Sequence, residues 1–218
     1  MIWNRRAFRF VAPVTGVPVV GMVLLAVFFF GSNRPCLANG LSEAKSAVAA
    51  EKQGNYPAAV ECYARALAAT DLSESSKALV HAARGDLLAS LDRPHEAMKD
   101  YNAALALVPG NAAVYFNRGN LLFAMGRYDD AIADYTRAIE LDATDAGAFN
   151  NRGTAWFTKG NLESALANYT KAMELLPDDA QFVNNRGRVW LKKGDAQRAR
   201  ADFSMAKSLD PNIRTPLD

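Results

Sequence analysis

Few side chains in this 218-residue sequence could carry covalent or metal chemistry. The only cysteines are Cys36 and Cys62, and the only histidines are His81 and His95. Two cysteines exclude a disulfide-built fold and a cysteine-rich zinc site. His81 falls on an apolar helical stripe and His95 opens a helix beside Glu96. Neither has a serine or cysteine placed for nucleophilic work. Cys62 reads as a small packing residue. Asp129 and Asp130 begin a helix, where acids complement the dipole. The glycines recur as turn and packing residues rather than as a phosphate-cradling loop. The chain is therefore expected to be no enzyme and to need no catalytic residue, metal or cofactor.

What does recur is polar and periodic. Asn117-Arg118-Gly119, Asn151-Arg152-Gly153 and Asn185-Arg186-Gly187 follow one another at a spacing of 34 residues. Ala59, Ala97, Ala131, Ala165 and Ala199 recur, each followed four later by Tyr63, Tyr101, Tyr135, Tyr169 or Phe203 and seven later by another alanine. Pro109, Pro177 and Pro211 close three of the copies. Self-similarity at such a period is the mark of a repeat array. The pattern resembles the tetratricopeptide repeat family, which implies an all-α, right-handed superhelical solenoid of five helix-turn-helix hairpins. The copies span 40–73, 78–111, 112–145, 146–179 and 180–213, with a tail at 214–218. The extra residues Glu74 to Lys77 predict a looser first junction.

Within each copy the apolar spacing predicts two amphipathic helices, with Gly126, Gly160 and Gly194 at the turns, where positive φ suits glycine. One hairpin cannot bury its own apolar face, so neighbours must stack. Gly119, Ala131 and Ala138 allow close helix approach, and Tyr135, Trp156 and Trp190 fill the space between. The fifth copy carries Arg200 and Lys207 where earlier copies are apolar, which predicts a polar terminal face without a separate capping helix.

Two polar rows follow from this frame. Folding each hairpin about its turn brings Arg84, Arg118, Arg152 and Arg186 level with the residue sixteen later: Asp100, Asp134, Asn168 and Asp202. A half-buried arginine needs such a partner, because an unpaired buried charge costs several kcal/mol. The first copy has Ser46 and Cys62 there and loses both partners together. Asn117, Asn151 and Asn185 turn about 100° away from that packed face. They share a stripe with Asn120, Thr154 and Arg188, and Asn150 and Asn184 widen it. An amide offers a donor and an acceptor to any peptide backbone. The family resemblance implies that Asn117, Asn151 and Asn185 hold an extended peptide in a concave groove, with Asn120, Asn150, Thr154, Asn184 and Arg188 as further groove candidates from the shared stripe; the alternative is a polar face or local helix contacts. Phe116, Phe123 and Phe157 are candidate apolar pockets or core. The lysines of the chaperone-tail clamp known in the family are missing, since Ala82, Phe116, Asn150 and Asn184 stand at those positions.

The N-terminal 38 residues differ from the rest. They hold four of the 25 basic residues and no acid, leaving 21 basic against 23 acidic beyond. The net charge of +2 is too small for a nucleic-acid footprint. Arg5, Arg6 and Arg9 precede an uncharged run from Phe10 to Phe30, long enough to cross a bilayer. Val19 to Phe30 alone also fits a signal core, followed by small residues before a cleavage after Ala38. Arginines ahead of the run predict a cytoplasmic N-terminus and an exported remainder. The chain is thus expected in the periplasm or another extracytoplasmic space, released or anchored in the inner membrane. There it would act as a monomeric scaffold for a protein or extended peptide. The alternatives are a membrane-tethered assembly factor and an accessory or regulatory subunit of an envelope enzyme on another chain.

Overall fold

The computed structural model describes residues 39–217. The expected signal or anchor at 1–38, its apolar run 10–30, Cys36 and the cleavage position all lie outside the described residues. Within them, ten helices form five antiparallel hairpins: α1 (Gly40–Lys52) with α2 (Tyr56–Ala68), α3 (Glu74–Ser90) with α4 (Pro94–Leu107), α5 (Ala112–Ala124) with α6 (Tyr128–Leu141), α7 (Ala146–Thr158) with α8 (Leu162–Leu175), and α9 (Ala180–Lys192) with α10 (Ala196–Leu209). None of these helices is long and apolar enough to cross a membrane.

The helix ends follow from local chemistry. Each first helix starts at a capping side chain, namely Asn39, Ser73, Asn111, Asp145 or Asp179, which accepts a backbone N–H two or three residues ahead. The turns reverse at Gly54, Gly126, Gly160 and Gly194, with φ between 72° and 83°. In the second hairpin Asp92 takes this place with φ 57°; an acid tolerates the left-handed region better than most side chains.

Packing between the two helices of a hairpin is set by alanine, glycine and tyrosine. Ala59, Ala97, Ala131, Ala165 and Ala199 are completely buried. The Tyr135 ring lies so close over Gly119 that a β-carbon there would stand 2.8 Å from the ring. Tyr101 lies over Gly85, Tyr169 over Gly153 and Phe203 over Gly187 in the same way. Trp156 and Trp190 are only half-buried and are covered by the Lys159 and Arg198 cations.

The arginine pairing appears in hairpins two to five. Arg84, Arg118 and Arg186 each hold both oxygens of Asp100, Asp134 and Asp202, at 2.7–2.9 Å. Arg152 instead donates to Asn168 Oδ1 at 2.8 Å and to Thr136 Oγ1 at 3.0 Å. In the first hairpin Ser46 bonds its own helix, and Cys62 accepts from Arg65 at 3.0 Å.

At the first junction Glu74 to Lys77 lengthen α3 by a turn, capped by Ser73. The loop before them is pinned by Gly40 N–H donating to Asp71 at 2.9 Å, with Leu72 packed on Gly40. At the far end Arg200 and Lys207 are exposed and no further helix follows among the described residues. The tail nevertheless packs on the array: the Arg214 carbonyl accepts from Asn184 at 3.2 Å and Thr215 is buried.

Arg118→Ala strands the buried Asp134 and is expected to lower stability by about 3 kcal/mol. Arg152 is the converse case, because burial without an anionic partner holds its pKa down. Asn168→Asp is expected to raise stability by about 1 kcal/mol, since a charge-assisted bond exceeds a neutral one. Urea unfolding of both variants checks the pair of signs.

Candidate functional site

The first helices α3, α5, α7 and α9 touch in succession along one side of the array, its inner surface. The eight candidate residues lie on α5, α7 and α9 of that surface. The structure brings them together through one repeated unit. A tyrosine hydroxyl reaches past the hairpin's glycine to an acceptor on the first helix, and the next hairpin's asparagine shares that acceptor. Thus Tyr101 donates to Asp86 at 2.7 Å and Asn117 to the same oxygen at 2.8 Å. Tyr135 and Asn151 both donate to Asn120 Oδ1 at 2.8 Å.

At the next step the register shifts. Tyr169 donates to Thr154 Oγ1 at 3.0 Å, but Thr154 is itself turned back onto the Asn150 carbonyl. Asn185 therefore donates to Asn150 Oδ1 at 2.9 Å instead. Asn150 donates in turn to Asn151 Oδ1, and Gln181 donates to Asn185 Oδ1. Asn150 and Asn184 are buried, and Asn184 Oδ1 has no hydrogen-bond partner. The amide donors of Asn117, Asn151 and Asn185 are thus engaged in holding each hairpin to the one before it. What the amide row offers a ligand from Asn117 is its oxygen.

Arg188 is the exception among the eight. It is exposed, with its guanidinium 5.9 Å from the Phe157 ring centre, and Lys192 stands over the same ring at 4.8 Å. Leu191, between them in sequence, is also exposed. Phe116 instead packs against Tyr135 and the third hairpin's core, and Phe123 lies against Tyr128. At the other end of the inner surface lie Glu51 and Asp86, two groove acids the polar rows in the sequence did not single out. Burial pushes the Asp86 carboxyl up to about 6 against the hydrogen bonds from Tyr101 and Asn117, with Glu51 nearby adding to the rise. Burial also raises Glu51. The signal available in the sequence was that Asp86 occupies the Asn120 position of its repeat.

His81 serves the packed side. His81 Nδ1 lies 2.7 Å from Asp100 Oδ1, beside Arg84, and His95 is exposed. Cys62 is a buried free thiol. Among the described residues no three His, Cys, Asp or Glu side chains are grouped to hold a metal ion.

Three family models match the chain: "Tetratricopeptide repeat" at 112–145, "TPR repeat" at 85–126 and a second "Tetratricopeptide repeat" at 160–212. No curated protein matches. Among solved structures, residues 41 to the end of MamA from Desulfovibrio magneticus RS-1 superpose with a TM-score of 0.73 at 18% identity, covering 81% of this chain and 97% of that one. YrrB, described as a TPR protein with an unusual peptide-binding site, gives 0.68 at 21% identity over 79% and 87%. PilF of Pseudomonas aeruginosa gives 0.66 at 21% identity over 78% and 75%. At these identities the likeness is one of fold.

Asp86 makes a pH-dependent prediction. Its folded pKa of about 6 lies above the ordinary 3.8. Its contribution to stability is therefore full below the unfolded value and is lost as pH rises through the folded one. Asp86→Asn reproduces the acceptor that Asn120 supplies and removes the buried charge. It is expected to be neutral near pH 4 and stabilising by roughly 2–3 kcal/mol above pH 7. Thermal unfolding of both proteins across that range checks the sign and the window.

Proposed function

This chain is a tetratricopeptide repeat protein, and on that premise we propose that it is a non-enzymatic scaffold of the cell envelope that holds an extended peptide or partner protein against its first helices. The observation that carries this reading is the cluster of Phe157, Arg188, Leu191 and Lys192. These side chains take no part in the amide contacts between hairpins, and three of them stand exposed on the inner surface. An aromatic ring with cations over it offers both apolar contact and charge to a bound segment. The shared fold with YrrB, a protein described as having a peptide-binding site, supports the same mode of use.

Placement in the envelope rests on the sequence before residue 39. Three arginines followed by an uncharged run from Phe10 to Phe30 favour export of everything that follows. Any attachment to the membrane through this chain would use that run. The hairpins then act outside the cytoplasm, either released or tethered.

Two measurements test the proposal. Crosslinking with mass spectrometry in the native host should place partner crosslinks on α7 and α9, and Arg188→Glu/Lys192→Glu should remove them. Crosslinks confined to α6, α8 and α10 would overturn the inner-surface reading. Separately, N-terminal sequencing with cell fractionation should find the protein outside the cytoplasm. A start at Asn39 means release and an intact N-terminus in the membrane fraction means anchoring. Recovery in the cytoplasm would sink the envelope placement.

A further inference from the structure

The first junction departs from the later ones on the side of the second helices. Arg118 and Arg152 use a further nitrogen, Nη1, to reach the second helix of the preceding hairpin, at Asn102 Oδ1 (2.7 Å) and Thr136 Oγ1 (3.0 Å). The last junction keeps Thr170 at that place, but α2 has Ala64 there, which offers no side-chain acceptor. Arg84 grips Asp100 with Nε and Nη2 as Arg118 grips Asp134, so its guanidinium plane is fixed in the same way and Nη1 points across the junction. That nitrogen closes no hydrogen bond with the described residues. One turn before Ala64, α2 also carries Val60 where α4, α6 and α8 carry the larger Met98, Ile132 and Leu166. Two small side chains thus face Arg84, and they leave a gap. A cavity of about 170 Å³ lies there between α2, α3 and α4, lined by Val60, Arg84, Leu88, Glu96, Lys99 and Asp100.

The charges on its walls are unevenly satisfied. Asp100 is buried, and Arg84 holds both its oxygens, with His81 on one of them. Both oxygens of Glu96 are held by Arg93 at 2.7–2.8 Å, which keeps that carboxyl below the usual range. Lys99 is exposed and enters no ion pair among the described residues. Ala133, Ala167 and Ala201 stand at its position in the hairpins that follow. The acids of the cavity are therefore engaged, while Arg84 Nη1 and the Lys99 ammonium lack an acceptor.

We propose that this cavity binds a small aliphatic carboxylate, with its oxygens on Arg84 Nη1 and Lys99 and its hydrocarbon against Val60 and Leu88. Such a ligand brings what Asn102 and Thr136 supply at later junctions, an oxygen acceptor on a short carbon stem. Its negative charge matches Lys99, and charge-assisted hydrogen bonds are roughly twice as strong as neutral ones. A cation would find no free acceptor here, and an inorganic anion would leave the Val60 and Leu88 walls uncovered. Cavities of about 150 Å³ take up molecules of benzene's size, so a branched acid such as isovalerate has suitable bulk. The site stands on the second helices and does not rest on the groove reading above.

Titration of the full-length, ¹⁵N-labelled protein with sodium isovalerate at pH 7.5, followed by NMR, tests the site directly. Isovaleramide, which has the same shape without the charge, is the control for the carboxylate, and sodium sulfate is the control for the hydrocarbon. Saturable shifts centred on Val60, Arg84, Leu88 and Lys99 are expected with isovalerate, and at least tenfold weaker binding with either control. Lys99→Ala, which installs the residue of the later hairpins, should weaken isovalerate at least fivefold. Ala64→Asn, which supplies the acceptor that Asn102 gives Arg118, should abolish binding. Its melting temperature should be unchanged or higher, so the loss of binding cannot then be a loss of fold. No saturable shifts, equal binding of isovalerate and isovaleramide, or an unaltered affinity in Ala64→Asn overturns the site. Tenfold tighter binding of the acetylated peptide Ala-Ala-Val with a free C-terminus, lost on amidation, would overturn the free acid as source and leave a chain terminus. Failure of every carboxylate while partner crosslinks persist on α7 and α9 would defeat this inference and leave the scaffold reading intact.

Discussion

The close approach of an aromatic ring to a glycine backbone is the contact on which the array depends. At Gly85, Gly119, Gly153 and Gly187 the missing β-carbon lets the ring of Tyr101, Tyr135, Tyr169 or Phe203 lie close against the first helix. The ring fills the hairpin's core, and the tyrosine hydroxyl emerges on the far side of that helix, at the inner surface. There it meets an acceptor, and in hairpins two and three the next hairpin's asparagine uses the same one. One contact therefore ties packing within a hairpin to registration between hairpins. The arginine–aspartate pairs act on the other side of the same helix and fix its rotation. A helix held from both sides has little freedom to turn, which makes the inner surface a defined one.

Much of this was legible in the sequence, and the boundary is physical. The hairpins, the turn glycines and the sixteen-residue arginine partners are relations inside one repeat, where helix geometry alone decides which side chains are level. Asn117 bonding to Asp86, 31 residues earlier, is a relation between repeats. It depends on the superhelical twist, which the residue pattern does not specify. The stripe that the asparagines share could be read from their spacing, but their engagement with the preceding hairpin could not. The shift from Thr154 to Asn150 at the fourth junction turned on one hydroxyl's choice of a backbone carbonyl. Likewise, Glu74 to Lys77 follow a capping serine and extend α3, whereas counting residues against a 34-residue period shows only that four are extra.

The charges along the inner surface are not evenly spread. Glu51 and Asp86 lie at the first end, amides occupy the middle, and Arg188 and Lys192 stand at the last. Its two ends therefore differ in sign although the folded part of the chain is nearly neutral. A bound segment would meet a polarity, and orientation can be chosen by charge even where the middle of the surface recognises only backbone. Asp86 is the telling case. An asparagine at the same position two helices on accepts the same pair of hydrogen bonds, so the carboxylate adds nothing to the ladder and lowers stability at neutral pH.

In a solenoid, a feature that repeats is explained by the repeat. Every copy must be held to its neighbours, and the same side chains recur because the same task recurs. Function is then to be sought where repetition fails without structural reason. Phe203 opposite Arg188 is a failure with a reason, since a hydroxyl there would have no acceptor. Arg200 and Lys207 depart from the apolar series at the array's last face. Tyr63 opposite Val48 has a reason as well, because Glu51, one turn beyond Val48, is the polar neighbour of its hydroxyl. What no contact within the array accounts for along the inner surface is the exposed trio of Arg188, Leu191 and Lys192 around Phe157, which is where a bound segment would find apolar surface and charge together.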